Sequence, residues 1–235
     1  MRIPPQNMEI EQLYSQIVRN DYHAVAMSAT SEGEGVTSIA MALAHRALLG
    51  GHKTLLIDFN LSHPSLHEQI SFDADDKSNP FGTPQLITTP SQSITLLGIT
   101  VPTGRDLVMK LRKPGMIEKH IEQWRKTFDF IIFDTSPINQ SSSENIPAER
   151  VIAACDGTFL VVQAGETNEE MLSTAVRKIE HAEGKILGSL FNDRGNPTLK
   201  SELLRETKRL DSKFYYFAKR IRTWINKSRL LSTEI

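Results

Sequence analysis

Short apolar runs separated by amphipathic stretches make up most of this chain. The runs that read as strands are His23–Ala29, Thr54–Phe59, Ile94–Ile99, Phe128–Asp134, Thr158–Gln163 and Ile186–Phe191. Several are near-continuous in apolar residues, as expected of strands covered on both faces. Their alternation with amphipathic stretches predicts an α/β fold with a doubly wound, mostly parallel sheet flanked by helices. "TSIAMALAHRALLGG" predicts a helix stopped by its glycines. Leu107–Lys126 predicts a second, interrupted at Pro114, and Thr167 with Glu170 matches a capping box opening a third that runs to about Ala182. Residues 71–92, rich in Pro, Asp and Ser, predict an irregular connection, and 139–147 a shorter polar loop. The expected organisation is one domain over 1–211 and a basic amphipathic tail over 212–235.

Composition narrows the classes. The chain has 235 residues, enough for one α/β domain with a sizeable core. Its net charge of −1 argues against a general polyanion binder, so no nucleic-acid partner is expected. The single cysteine, Cys155, excludes an intramolecular disulfide and reads as a buried small residue. No apolar run approaches the roughly 20 residues needed to span a bilayer, and no apolar stretch of signal-peptide type follows Arg2. A cytoplasmic location is expected. The Asp73–Asp76 cluster lacks the spaced ligands of a Ca²⁺ loop and reads as solvated. The histidines are scattered.

Candidate chemistry gathers at three strand ends, the edge of the sheet where doubly wound folds bind ligands. The first is "SEGEGVTS", between a strand and a helix. Gly33 and Gly35 allow backbone N–H groups to turn inward, and the helix beginning near Thr37 adds its dipole. By itself this is equally a plain strand-to-helix turn. The second is "LLIDFNLSHPSLH", where Asp58 ends an apolar strand, and the third is "FDFIIFDTSP", where Asp134 does the same. A buried carboxylate without a purpose is costly, although either aspartate could serve as a helix cap or turn residue. The three motifs together, in this order, are more specific than any one.

Taken together, these motifs resemble the cytoplasmic domain of bacterial tyrosine kinases (BY-kinases) and the related exopolysaccharide-biosynthesis ATPases, within the MinD/ParA group of P-loop proteins. The resemblance runs from about residue 8 to 195. "SATSEGEGVTSIAMALA" resembles the Walker A region, "LLIDFNLSHPSLH" the second acidic motif and "FDFIIFDTSPI" the Walker B-like strand; "CDGTFLVVQAGET" and "ILGSLFND" match the later strands. The resemblance implies ATP or ADP with Mg²⁺ as cofactors. It implies a nucleotide cradle at Gly33, Glu34, Gly35, Val36, Thr37 and Ser38, with Asn192 beside the base. Thr37, Asp58 and Asp134 are implied at the metal, the two aspartates being catalytic if the protein is active. The implied partner is a membrane polysaccharide co-polymerase or export complex, which would place the protein peripherally at the inner membrane.

The departures from that pattern all remove working parts. Val36 stands where the phosphate-binding lysine belongs, Asn60 replaces the second aspartate of the acidic motif, and Ser136 replaces the first of two prolines. Tyr14 and Ile17 stand where the kinases carry the arginines of an oligomerising motif, and the tyrosine-rich tail is missing. Losing one charge-assisted hydrogen bond of about 1.5–3 kcal/mol weakens ground-state binding roughly ten- to hundredfold, and costs more where charge builds in a transition state. Weak nucleotide binding with little or no turnover, in a regulatory or assembly role, is the expectation, unless Lys53, Arg105, Arg194 or a second subunit fills the gap. An active ATPase or tyrosine kinase, and a MinD/ParA-like positioning protein, are the alternatives. Tyr14 and Ile17 predict no kinase-type ring and leave a homodimer open. The tail at 213–229 has six basic residues and no acid, with Phe214, Phe217, Ile221, Trp224 and Ile225 at helical spacing. It suits either an anionic membrane or partner surface, or a terminal helix packed on the domain.

Overall fold

The computed structural model describes residues 3–61, 64, 84–88, 95–100, 105–140, 142, 145–194, 203, 207, 220, 221, 223 and 225. The chain divides into two compact units, Met1–Asn192 and Asp193–Ile235.

In chain order the first unit contains α1 (Met8–Arg19), β1 (Ala24–Ala29), α2 (Val36–Leu49), β2 (Thr54–Phe59), β3 (Gln85–Thr88), β4 (Thr95–Thr100), α3 (Arg105–Leu111) and α4 (Met116–Trp124). These are followed by β5 (Phe130–Thr135), α5 (Ala148–Ala154), β6 (Gly157–Gln163), α6 (Glu169–His181) and β7 (Ile186–Asn192). The strands form one sheet in the order β3-β4-β2-β5-β1-β6-β7, parallel except for the antiparallel β3–β4 pair. Every residue of β1, β2 and β5 is buried. Alternate side chains feed opposite faces, as strand pleating requires: Ala24 and Ala26 join the core beneath α3–α6, while Val25, Met27 and Ala29 join the core beneath α1 and α2.

The six strands expected from the apolar runs all form, within two residues at each end. One strand lay hidden in the segment expected to be irregular: Gln85–Thr88 pairs antiparallel with β4 along the sheet edge. Four residues are too few for a periodic signal. Apart from Pro84, the rest of 71–92, including the Asp73–Asp76 cluster, lies outside the described residues. Helices α1 and α5 were also not anticipated. Helix α1 is capped by the Asn7 side chain, which accepts from the Glu9 and Ile10 N–H groups, and it buries Ile10, Leu13 and Ile17.

The expected capping box at α6 is corrected. The cap is Asn168, whose side chain accepts from the Met171 N–H at 2.9 Å. The Thr167 hydroxyl faces the other way, into the loop after β1. Cys155 is half-buried rather than buried, beside the core.

Candidate functional site

The loop after β1 lies where the sheet order reverses, with α2 on one face and α6 on the other. Gly33 and Gly35 have φ of +82° and +97°, a conformation open to glycine at little cost. Gly35 is confined twice over. The Asn192 side chain at the end of β7 donates to the Glu34 carbonyl at 2.7 Å, and a Cβ on Gly35 would lie 2.7 Å from that same nitrogen.

Glu34 was expected to line the ligand, but its side chain turns inward. Its carboxylate is buried and accepts from the Thr30 N–H at 3.2 Å, the Thr30 hydroxyl at 2.6 Å, the Ser31 N–H at 3.1 Å and the Thr167 hydroxyl at 3.0 Å. The charge is therefore spent on folding the loop and tying it to the start of α6. Thr167 completes the link by accepting from the Gln163 N–H. The cap signature drew attention to Thr167 in the sequence but assigned it the wrong partner, because Glu34 meets it only in the folded chain. Val36, the residue in the lysine position, packs against the α1–α2 core. Ser38 follows in the first turn of α2.

The two aspartates meet across the sheet. Asp58 and Asp134 are direct partners in the parallel β2–β5 register, and only 2% and 1% of their surfaces are exposed. The Thr37 hydroxyl, one residue into α2, donates to Asp134 Oδ2 at 2.6 Å. Asp134 Oδ1 is buried without a partner, and so is the hydroxyl of Thr100 at the end of β4, in register with Asp58. Burial first, and then the neighbouring Asp58 charge, pushes the Asp134 carboxyl up to about 8 against the pull of Thr37. Two buried carboxylates and a hydroxyl, one oxygen still unsatisfied, fit Mg²⁺, which is held through one or two carboxylates plus water and phosphate oxygens. Among the described residues no cluster of three or more His, Cys, Asp or Glu could hold a metal.

The chain is similar to several known proteins. A tyrosine-protein kinase CpsD of Streptococcus agalactiae is 29% identical over 183 residues, covering 72% of this chain and 74% of that protein. The chain is thus similar to a bacterial tyrosine kinase over most of its length. Among solved structures, the kinase domain of the Escherichia coli tyrosine kinase ETK superposes with a TM-score of 0.58 at 19% identity, covering 77% of this chain and 71% of that one. A cobyrinic acid a,c-diamide synthase from Mycobacterium smegmatis, with bound ATP analogue and magnesium, superposes at 0.53 and 16% identity over 72% of each chain. These likenesses establish the P-loop fold. No family model matches the chain.

The structure also sorts the basic residues that the sequence offered in place of a phosphate-binding lysine. Lys53 is excluded as an in-chain substitute. It precedes β2 and binds Asp129 through its backbone at the amino edge of the sheet, five residues and about 16 Å of extended strand from Asp58. Arg105 opens α3 after β4, at the carboxyl edge. Arg194 belongs to the second unit. Asn60, where the resemblance expects an aspartate, donates its backbone N–H to Asp58 Oδ1 at 2.9 Å. Tyr14 and Ile17, where the resemblance expects arginines, pack within the chain. Ile17 is fully buried, and the Tyr14 ring stacks on Phe130, lies under the Arg46 guanidinium and shares a 3.0 Å hydrogen bond with His52. Arg46 in turn holds Glu11 through two hydrogen bonds.

Proposed function

We propose that this protein is a nucleotide-binding member of a capsule or exopolysaccharide biosynthesis system that holds ADP or ATP with Mg²⁺ weakly and turns it over little or not at all, acting on assembly rather than as a phosphotransferase. The carrying observation is the Thr37–Asp134 hydrogen bond with Asp58 alongside: a metal end of the site that is preserved beside a loop whose lysine has become Val36. Gly33, Gly35, Thr37 and Ser38 supply the cradle, Asn192 stands by the base, and Thr37, Asp58 and Asp134 hold Mg²⁺. The bound metal would neutralise phosphate charge.

Electrostatics supports the weak side of this reading. A cavity of about 250 Å³ at the loop mouth is lined by Ser31, Glu32, Gly33, Glu34, Gln163, Glu166 and Met171. It is acidic, and no lysine from within the loop offsets it. Titration calorimetry of ADP and ATP, with and without Mg²⁺, tests the reading together with ATP hydrolysis by the wild type and Val36→Lys. Weak, Mg²⁺-dependent binding is expected, strengthened about ten- to hundredfold by Val36→Lys. Brisk wild-type turnover that Asp58→Ala abolishes would establish the second reading, a working ATPase or tyrosine kinase, which kinship with the tyrosine kinases favours.

The partner in this proposal is a membrane polysaccharide co-polymerase or export complex. Among the described residues no helix is long and apolar enough to cross a membrane. In the tail, Ile225 is buried and Ile221 half-buried while Arg220 and Thr223 are exposed, so anionic membrane contact through 213–229 rests on its basic side. The intact chain should sediment with anionic vesicles and be released by salt, and a chain truncated after Asp211 should not sediment.

A further inference from the structure

The position of Ser136, where the resemblance expects proline, is not idle. Ser136 directly follows β5 and is 2% exposed. Its hydroxyl donates to the Phe59 carbonyl at 3.2 Å and accepts from the Asn145 side-chain nitrogen at 2.5 Å. Phe59 is the residue after Asp58, and Ser136 is two residues after Asp134. This one hydroxyl therefore joins the ends of the two strands that carry the carboxylate pair. A proline there could neither donate to the carbonyl nor accept from Asn145.

The bridge is held from outside. Asn145 is 4% exposed, and its Oδ1 accepts from the Ile146 N–H at 3.0 Å, which fixes the amide orientation. Its backbone carbonyl accepts from Arg112 Nε at 2.9 Å, and Arg112 Nη2 reaches the Ser142 carbonyl at 2.9 Å. Arg112 immediately follows α3. On the other flank, the Ile138 N–H donates to the Ala29 carbonyl at the end of β1, where the phosphate loop begins. A metal site built from two carboxylates on different strands depends on the spacing of those strands, and partners that orient the ligands matter nearly as much as the ligands.

We propose that Ser136 and Asn145 are positioning residues that set the spacing of Asp58 and Asp134, and that Arg112 braces them from the end of α3. The inference rests on the Mg²⁺–nucleotide reading above. In place of a rigid proline, the chain uses a hydrogen-bonded brace whose far end is a solvent-accessible arginine.

The test compares ADP affinity with and without Mg²⁺ in the full chain, because that ratio reports the metal site and not general stability. In Ser136→Ala the Mg²⁺-dependent gain should fall by about tenfold or more, with metal-free ADP affinity unchanged. Ser136→Thr, which keeps the hydroxyl, should restore the gain. Asn145→Ala should reproduce the loss without adding to it in the double variant. Where Ser136→Ala does not fold, Arg112→Gln should shift the ratio in the same direction. An unchanged ratio in Ser136→Ala, or in Arg112→Gln used in its place, overturns this inference and leaves the nucleotide reading standing. A wild type with no Mg²⁺-dependent ADP binding overturns both.

Discussion

Gly35 and Asn192 meet where the phosphate loop touches the last strand of the first unit, so closely that a methyl group at position 35 would lie 2.7 Å from the asparagine side-chain nitrogen. Gly35→Ala should therefore suffer twice, from its φ of +97° and from the collision. Gly51 is the control, with a φ of +84° and nothing within 4 Å of the added carbon. Gly51→Ala should cost about 1 kcal/mol and Gly35→Ala about 1–3 kcal/mol, measured by urea denaturation. Equal costs would show that Asn192 does not confine the loop.

Asp134 makes stability depend on pH. Its carboxyl is raised from 3.8 to about 8 by burial and by Asp58. The native state therefore keeps a proton that the unfolded chain releases. Stability is greatest at low pH as far as this group is concerned, and falls as pH rises from about 4 to 8. The slope is at most about 1.4 kcal/mol per unit. Urea midpoints at pH 5, 6, 7 and 8 without Mg²⁺ should decline, and Asp134→Asn should flatten the decline. Mg²⁺ should stabilise the wild type more at pH 8 than at pH 5, because it takes the proton's place. The same slope in Asp134→Asn would assign the effect to another group.

Helix α1 belongs to the core of its own chain. Ile17 is fully buried, so Ile17→Ala should cost about 2–5 kcal/mol and leave the oligomeric state unchanged. Light scattering of the wild type should give a monomer or dimer. A larger ring that Ile17→Ala disperses without loss of stability would place the helix between subunits instead.

Glu34 is expected to act on folding first and on ligand second. Glu34→Ala removes the acceptor for four donors and should destabilise the protein by about 1–3 kcal/mol. Thr167→Val, which removes one of those donors, should cost less. Thermal melts of both variants decide the order. A neutral Glu34→Ala that abolishes nucleotide binding would return the carboxylate to the ligand side.

The amino-acid sequence by itself determined the sheet, the loop and the two aspartates at strand ends. Strands buried on both faces must be written in near-continuous apolar residues, and a carboxylate ending such a run is conspicuous because burial without purpose is unfavourable. It also placed Val36 in the loop where the resemblance to the tyrosine kinases expects a lysine, since that is a matter of identity and not of place. Only tertiary structure decided that Asp58 faces Asp134, that Glu34 turns away from the ligand to Thr167, that Lys53 lies at the wrong edge of the sheet, and that Ser136 finds Asn145 and Phe59. Strand Gln85–Thr88 and helix α5 are too short to carry a pattern of their own and are stabilised by what they pack against, whereas α1 carries an Asn7 cap and a helical stripe of Ile10, Leu13 and Ile17. Register between strands, and the reach of one side chain to another far along the chain, follow from how elements stack, and no local pattern carries that information.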